Sequence, residues 1–103
     1  MSEFRKDDAG KVRVELVPPA ALLEVGRAFT YGAEKYGADN WRKGAGWSRY
    51  VGASLRHVLA WSSGEDADAE SGLSHLAHAA ACLLILMELQ RGRLGADDRR
   101  GAT

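Results

Sequence analysis

Several features that would assign this chain to a common protein class are missing from it. A single cysteine in 103 residues excludes an internal disulfide and is typical of a reducing compartment. The 14 basic and 14 acidic side chains balance, so the basic excess of nucleic-acid-binding domains is absent. The longest apolar run, residues 79–87, is far shorter than the ~20 residues that cross a bilayer. The charged start MSEFRKDDAGK is unlike a signal peptide.

These absences define what kind of protein to expect. We predict a soluble, cytoplasmic protein that binds neither nucleic acid nor membrane. The chain also lacks a GxxxxGK[ST] phosphate loop, a CxxC pair, an HExxH motif and a GxSxG motif. No His-Asp dipeptide occurs, which counts against the larger HD-type phosphohydrolases. Any enzymatic chemistry must therefore come from another arrangement of side chains.

Hydrophobic periodicity predicts an all-α fold in one domain, residues 1–103, as a small bundle of about three main helices. Proline at the start and glycine after the end mark the first helix, from Pro19 to the C′ residue Gly37. We predict a second helix over residues 48–63 and a third over 69–91, with Asp68 as the N-cap of the third. Residues 1–17 are predicted to be an arm that is extended near 12–17, and residues 92–103 a flexible tail.

The third helix predicts that the bundle is completed by oligomerisation. It is apolar nearly all round from Leu76 to Leu89, which is usual for a central or interface helix. The second helix adds an apolar face formed by Val51, Leu55, Val58 and Leu59. Short amphipathic neighbours cannot cover so much apolar surface, so we expect a homo-oligomer, a dimer or a tetramer.

All three histidines and the densest group of carboxylates lie between Arg56 and Cys82. On a helix, Ser71, His75, His78 and Cys82 would form one stripe, and a helical hairpin would bring His57 to it. Imidazole with carboxylate suits Mn, Fe, Zn or Ni, and carboxylate alone suits Mg. The other interpretation is structural: hydrogen-bonded core histidines, Asp68 as a cap, Glu70 at a helix start, Glu65 solvated and Cys82 as apolar filler.

The segment 34–44 carries a second group of candidate residues, suited to a nucleotide. Lys35, Arg42 and Lys43 could meet phosphates, Tyr36 or Trp41 could stack on a base, and Asn40 could read a base edge. Arg56 is predicted to be a buried cation that needs an anion such as a phosphate, and Ser71 could contact substrate. The alternative is an ordered loop that its tryptophans hold in place.

These motifs resemble a known family. The resemblance rests on Phe29–Gly37 (FTYGAEKYG), Asn40–Gly44 (NWRKG), Arg56-His57, Trp61, Gly64-Glu65, Asp68 and Glu70–His78 (ESGLSHLAH), and it spans about residues 11 to 90. The chain resembles the small phage dATP/dGTP diphosphohydrolases, which are similar to the MazG-like all-α NTP pyrophosphohydrolases. In the wider superfamily an ExxE pair and an ExxD pair hold the metal. Here His75-x-x-His78 stands at the equivalent turn, and no clean ExxE precedes it.

The resemblance implies metal-dependent hydrolysis of purine nucleoside triphosphates, dGTP or dATP, to monophosphate and pyrophosphate, with Mg or Mn as cofactor. A phage-encoded enzyme of this kind would act in the host cytoplasm. The residues themselves leave open the base, the sugar, the metal and which groups are ligands. The implied catalytic residues are His57, Glu65, Asp68, His75 and His78. The implied metal ligands are Glu34, Glu65, Asp68, Glu70, His75 and His78. The implied substrate contacts are Lys35, Tyr36, Asn40, Trp41, Arg42, Lys43, Arg56 and Ser71.

A second class of function uses the same residues. A non-catalytic helical module could bind nucleotide or metal and act in regulation. It would give saturable binding without a product, whereas an enzyme releases one.

Overall fold

The computed structural model describes residues 3–101 and contains three α-helices. They are α1 (Pro19–Tyr36), α2 (Trp47–Ser62) and α3 (His75–Gly92), with short 3-10 helices at Val14–Leu16 and Asn40–Lys43. Within residues 3–101 no strand forms, so the predicted all-α bundle is confirmed. None of the helices in this range is both long and apolar enough to cross a bilayer.

The bounds of α1 follow from local signals in the sequence. Pro19 occupies its first turn, where the missing N–H has no partner to lose. Gly37 ends it with φ of 93°, a backbone conformation that L side chains rarely adopt. Before α1, the segment expected to be extended instead contains the exposed 3-10 turn Val14–Leu16, so that prediction is wrong.

The predicted start of α3 is also wrong. The helix begins at His75, because Ser74 is the N-cap: its Oγ accepts hydrogen bonds from the N–H groups of Leu76 and Ala77 at 3.1 and 3.3 Å. Asp68 belongs to a loop, residues 63–74, and accepts a hydrogen bond from the Ser71 N–H at 2.9 Å. Ser71 is therefore not on the helical stripe of His75 and His78, although the loop returns it to their side.

α3 is the central helix and packs against both α2 and α1. Small residues allow the close approach to α1: Ala28 meets Ala77 and Ala81, with Val25 and Phe29 packed beside them. On the other side the Ser54 hydroxyl of α2 donates to the Ala79 carbonyl at 3.4 Å. Leu89, with 0 % exposure, is the largest side chain that is fully buried.

The face of α2 that meets α3 is not its apolar one. Ser54 is buried and His57 is partly buried, whereas the outer apolar face of α2, formed by Val51, Leu55, Val58 and Leu59, is exposed. Leu83, Leu84 and Met87 of α3 are exposed as well. The isolated chain thus leaves much of its apolar surface uncovered.

The segment after α3 returns to the start of α2. Trp47 Nε1 donates to the Leu94 carbonyl at 2.8 Å, and Trp47 N–H donates to the Ala96 carbonyl at 3.0 Å. Asp98 accepts hydrogen bonds from the Ser48 N–H at 2.8 Å and the Ser48 hydroxyl at 2.6 Å. Residues 94–98 of the predicted tail are therefore docked. The single-domain assignment stays a prediction.

Candidate active site

A cavity of about 1040 Å³ separates α1 from α2, with α3 as its floor and the loop after α1 as its rim. Pockets for small molecules are typically about 300–1,000 Å³, so a nucleotide fits this volume. The wall contributed by α2 includes Arg49, Arg56 and His57, and the floor includes His78 and Cys82. Burial raises the pKa of the Cys82 thiol, which keeps it neutral and unreactive.

The three histidines converge beside the cavity, and two of them, His57 and His78, line it. His57 Nδ1 and His75 Nδ1 are 2.8 Å apart, and the ring of His57 stacks on that of His78 with centroids separated by 4.7 Å. His75 is buried, and its Nε2 lies 2.8 Å from Glu65 Oε1. A carboxylate only accepts hydrogen bonds, so Nε2 of His75 carries the proton in this contact. The predicted convergence of the histidines is present in the fold.

Asp68 lies beside this histidine cluster, defined as His57, His75 and His78. One donor atom from each of His57, Asp68 and His75 falls within 4.8 Å of the others. The hydrogen bond from the Ser71 backbone holds the pKa of Asp68 below its ordinary value, so this carboxylate is charged at neutral pH. Burial lowers the pKa of His57 and of His78, which favours neutral imidazole. Two imidazoles and one carboxylate are a donor set that suits a transition metal.

Several predicted ligands lie outside this set. Glu34 is exposed and lines a separate, smaller pocket, which also includes Ser71. Glu70 hydrogen-bonds and ion-pairs with Lys35, which holds the pKa of Glu70 below and that of Lys35 above the ordinary values. Glu65 contacts His75, and neither residue lines the cavity. His78 Nε2 forms a hydrogen bond with the Ser71 hydroxyl at 2.7 Å.

The predicted substrate contacts are only partly brought together. Those that line the cavity are Lys35, Tyr36, Asn40, Trp41 and Arg56. Arg56 is exposed rather than buried, which corrects the expectation from sequence. The guanidinium of Arg42 covers the Trp41 ring at 4.3 Å from its centroid, and Lys43 does not line the cavity. The aromatic and cationic groups of residues 35–41 nevertheless face the same space as the histidine cluster.

Tyr31 and Arg49 are among the cavity residues that were not predicted from sequence. Tyr31 lines the cavity, with its ring edge against His78 at a centroid distance of 5.9 Å. Arg49 lines it from the first turn of α2. A signal existed for both, because Tyr31 is four residues before Lys35 and Arg49 is seven before Arg56. Residues at those spacings share one helix face.

Comparison with known proteins places this geometry in a family. Residues 2–99 match the family model described as "dATP/dGTP diphosphohydrolase, N-terminal". The chain is 41% identical over 95 residues to a protein of Salmonella phage PMBT28 named "dATP/dGTP diphosphohydrolase". The match covers 92% of this chain and 32% of the phage protein, so the chain spans about a third of that relative's length. No solved structure matches the chain, and the predicted likeness to MazG-like enzymes stays a prediction.

Proposed function

The chain belongs to the phage dATP/dGTP diphosphohydrolase family, and from that premise we propose that it hydrolyses purine deoxynucleoside triphosphates to monophosphate and pyrophosphate. The observation that carries the proposal is the cavity lined by His57, His78 and Asp68, together with the donor group of His57, Asp68 and His75. The family name supplies the substrate class, dATP or dGTP. The volume, the cations and the aromatic rings of the cavity are compatible with it.

Each end of a nucleoside triphosphate has suitable partners in the cavity. Arg49 and Arg56 lie on the α2 wall, with Arg56 next to His57 in the chain, and offer charge-assisted hydrogen bonds to phosphate oxygens. Trp41 and Tyr36 lie at the rim, where an aromatic ring can stack on a purine. We assign the base to the rim and the phosphates to the cluster. Lys35 is occupied by Glu70 and acts mainly in holding α1 to the loop before α3.

The histidine cluster supplies proton transfer and metal ligands. Neutral imidazoles accept protons, so His57 and His78 are the candidate general bases that take the proton of the attacking water. A divalent metal, Mg or Mn, would be held near Asp68 and the histidines and would neutralise developing phosphate charge when bound. The arginines stabilise the same charge from the α2 wall, which also carries His57.

The experiment is product analysis by chromatography. The purified chain is incubated with each deoxy- and ribonucleoside triphosphate in the presence of Mg or Mn. We expect monophosphate and pyrophosphate from dATP or dGTP. Asp68→Asn or His75→Ala should slow turnover roughly 100-fold or more while leaving helical content intact. The matched control is Asp66→Asn, which removes an exposed carboxylate two residues away. Equal rates for Asp68→Asn and wild type would remove Asp68 from the site.

A second candidate function is favoured by one finding, the share of the relative that is matched. Because the chain corresponds to 32% of the phage protein, the activity in that protein's name can reside elsewhere in it. The chain would then be a non-catalytic module that binds nucleotide. Titration of Trp41 fluorescence with dGTP separates the two, since saturable binding without any product supports the module.

We also propose that the chain works as a homo-oligomer. Leu55, Leu59 and Met87 are 55%, 64% and 63% exposed, which is unusual for leucine and methionine on the helices of a bundle. The radius of gyration is 17.3 Å, whereas a compact domain of 100 residues measures about 13 Å. The exposed segment before α1 contributes to this difference, but the exposed helix faces remain. A second copy of the chain, with the same apolar faces, is the occupant that would cover them.

A further inference from the structure

The contact between His57 Nδ1 and His75 Nδ1 constrains what lies between the two rings. Two nitrogen lone pairs repel each other at 2.8 Å, so a proton or a cation must occupy the contact. His75 cannot easily supply the proton, because its Nε2 already carries one toward Glu65. The Nδ1 lone pair of His75 therefore faces His57. This is the orientation that a metal-binding histidine takes when a carboxylate holds its other nitrogen.

Asp68 completes the donor set. One of its oxygens, Oδ2, accepts the Ser71 N–H at 2.9 Å. The donor atoms of His57, Asp68 and His75 lie within 4.8 Å of one another. Metal–ligand distances of about 2.0–2.2 Å place two donors of one ion at most about 4.4 Å apart. The ligand set therefore requires small side-chain rotations when the ion binds.

We propose that His57, Asp68 and His75 are the protein ligands of a first-row transition metal such as Mn²⁺, Co²⁺ or Zn²⁺, with Glu65 as a positioning residue on His75. The inference deepens the proposed function and rests on its metal-dependent site. Of the six implied ligands, the proposal keeps Asp68 and His75 and adds His57. It leaves out the four that have other partners or positions, namely Glu34, Glu65, Glu70 and His78. It also disfavours Mg²⁺, which takes oxygen ligands and keeps much of its water.

The proposal assigns different tasks to neighbouring groups. His78 stacks on His57 and fixes the plane of its ring. With His57 among the ligands, the role of proton acceptor falls to His78. Glu65 contacts Nε2 of His75, so it acts on the metal through the orientation and basicity of His75.

The test measures metal binding directly, without nucleotide. Chelator-stripped protein is titrated with Mn²⁺, Zn²⁺ and Mg²⁺ by calorimetry and with Co²⁺ by visible absorption. We expect one transition-metal ion per protomer and at least tenfold weaker Mg²⁺ binding. His75→Gln, His57→Gln and Asp68→Asn should abolish binding, and Glu65→Gln should weaken it about 10–100-fold. Glu34→Gln and Glu70→Gln are matched controls and should bind like wild type. Circular dichroism verifies that each variant is folded.

The outcomes separate this inference from the proposed function. Unchanged binding in Asp68→Asn, loss of binding in Glu34→Gln or Glu70→Gln, or equal affinity for Mg²⁺ and Mn²⁺ would overturn the ligand assignment. If His75→Gln does not fold, Asp68→Asn and Glu65→Gln still decide it, because both positions are in the loop. Metal binding at these residues without any nucleotide product would refute the function and support the site. Turnover with Mg²⁺ but no transition-metal binding would support the function and refute the site.

Discussion

The side of α2 that faces α3 and the cavity carries Ser54 and His57, whereas its opposite side carries Val51, Leu55, Val58 and Leu59 and is exposed. In an ordinary amphipathic helix of a monomer the two sides would be exchanged. The inner side contains the groups that bear chemistry, and they are kept there by specific polar partners. The outer side is suited to a second copy. A prediction from hydrophobicity alone would therefore bury the outer side of α2 and expose the inner one.

The largest effect on stability should come from a substitution in the small apolar interior that α3 provides. Leu89→Ala empties a fully buried site and should lower the free energy of unfolding by about 2–5 kcal/mol. Leu55→Ala is the matched control, because it removes the same atoms from the outer face of α2, where 55% is exposed. Its cost at low protein concentration should be about 0.5 kcal/mol. Urea unfolding measures both, and equal losses would contradict the comparison.

The inner side of α2 should matter for activity more than for stability. His57→Leu removes a ligand and a stacking partner of His78, so turnover of dATP or dGTP should fall roughly 100-fold. The Tm should change less than in Leu89→Ala, because a half-buried polar ring is replaced by an apolar side chain. Val58→Leu on the outer side serves as control and should keep the rate. Wild-type turnover in His57→Leu would show that the inner side is only structural.

The outer side should matter for association. Leu59→Glu places a charge where a second copy would pack, and it should raise the dissociation constant at least about tenfold, or about 1.4 kcal/mol. Light scattering after size-exclusion chromatography measures this over a range of protein concentrations. Val12→Glu, in the exposed arm, is the control. If wild type elutes as a monomer at micromolar concentration, the oligomer proposal is wrong.

The smallest effect should come from the segment that holds the start of α2. Asp98→Asn keeps an oxygen that can accept a hydrogen bond from Ser48 but removes the negative charge. Both hydrogen bonds from Ser48 should therefore be weaker. We expect a slight fall in Tm and greater quenching of Trp47 fluorescence by acrylamide. Asp66→Asn is the control, since it removes an exposed carboxylate from the loop before α3. Identical behaviour of the two variants would argue against a cap by Asp98.

The parts of the fold that local chemistry determines were predictable. Pro19 and Gly37 delimit α1 without help from the rest of the chain. The start of α3 was not predictable, because Asp68 and Ser74 are both good N-cap residues. The choice depends on a backbone pair that folds the loop on itself, with the Asp68 N–H donating to the Leu73 carbonyl at 2.8 Å. Such pairing is not visible in hydrophobic periodicity.

The site was predictable in its composition but not in its arrangement. The density of histidines and acids between residues 56 and 82 indicated a site, and His57, His75 and His78 do meet. Whether Glu34 lies at the site could not be predicted from sequence, because its position depends on how α1 is rotated against α3. Glu70 could not be judged either, since its ion pair with Lys35 joins positions that are 35 residues apart.

The loop between α2 and α3 is held by its own backbone before any ligand arrives. The His75 N–H donates to the Asp66 carbonyl at 3.0 Å and the Gly72 N–H to the Asp68 carbonyl at 2.7 Å, in addition to the Asp68–Leu73 contact. Glu65, Asp68 and Ser71 are thus ordered once, when the chain folds. Binding then requires little further loss of conformational entropy from this loop. Ligand capture should accordingly be limited by diffusion and orientation rather than by a slow rearrangement of the loop.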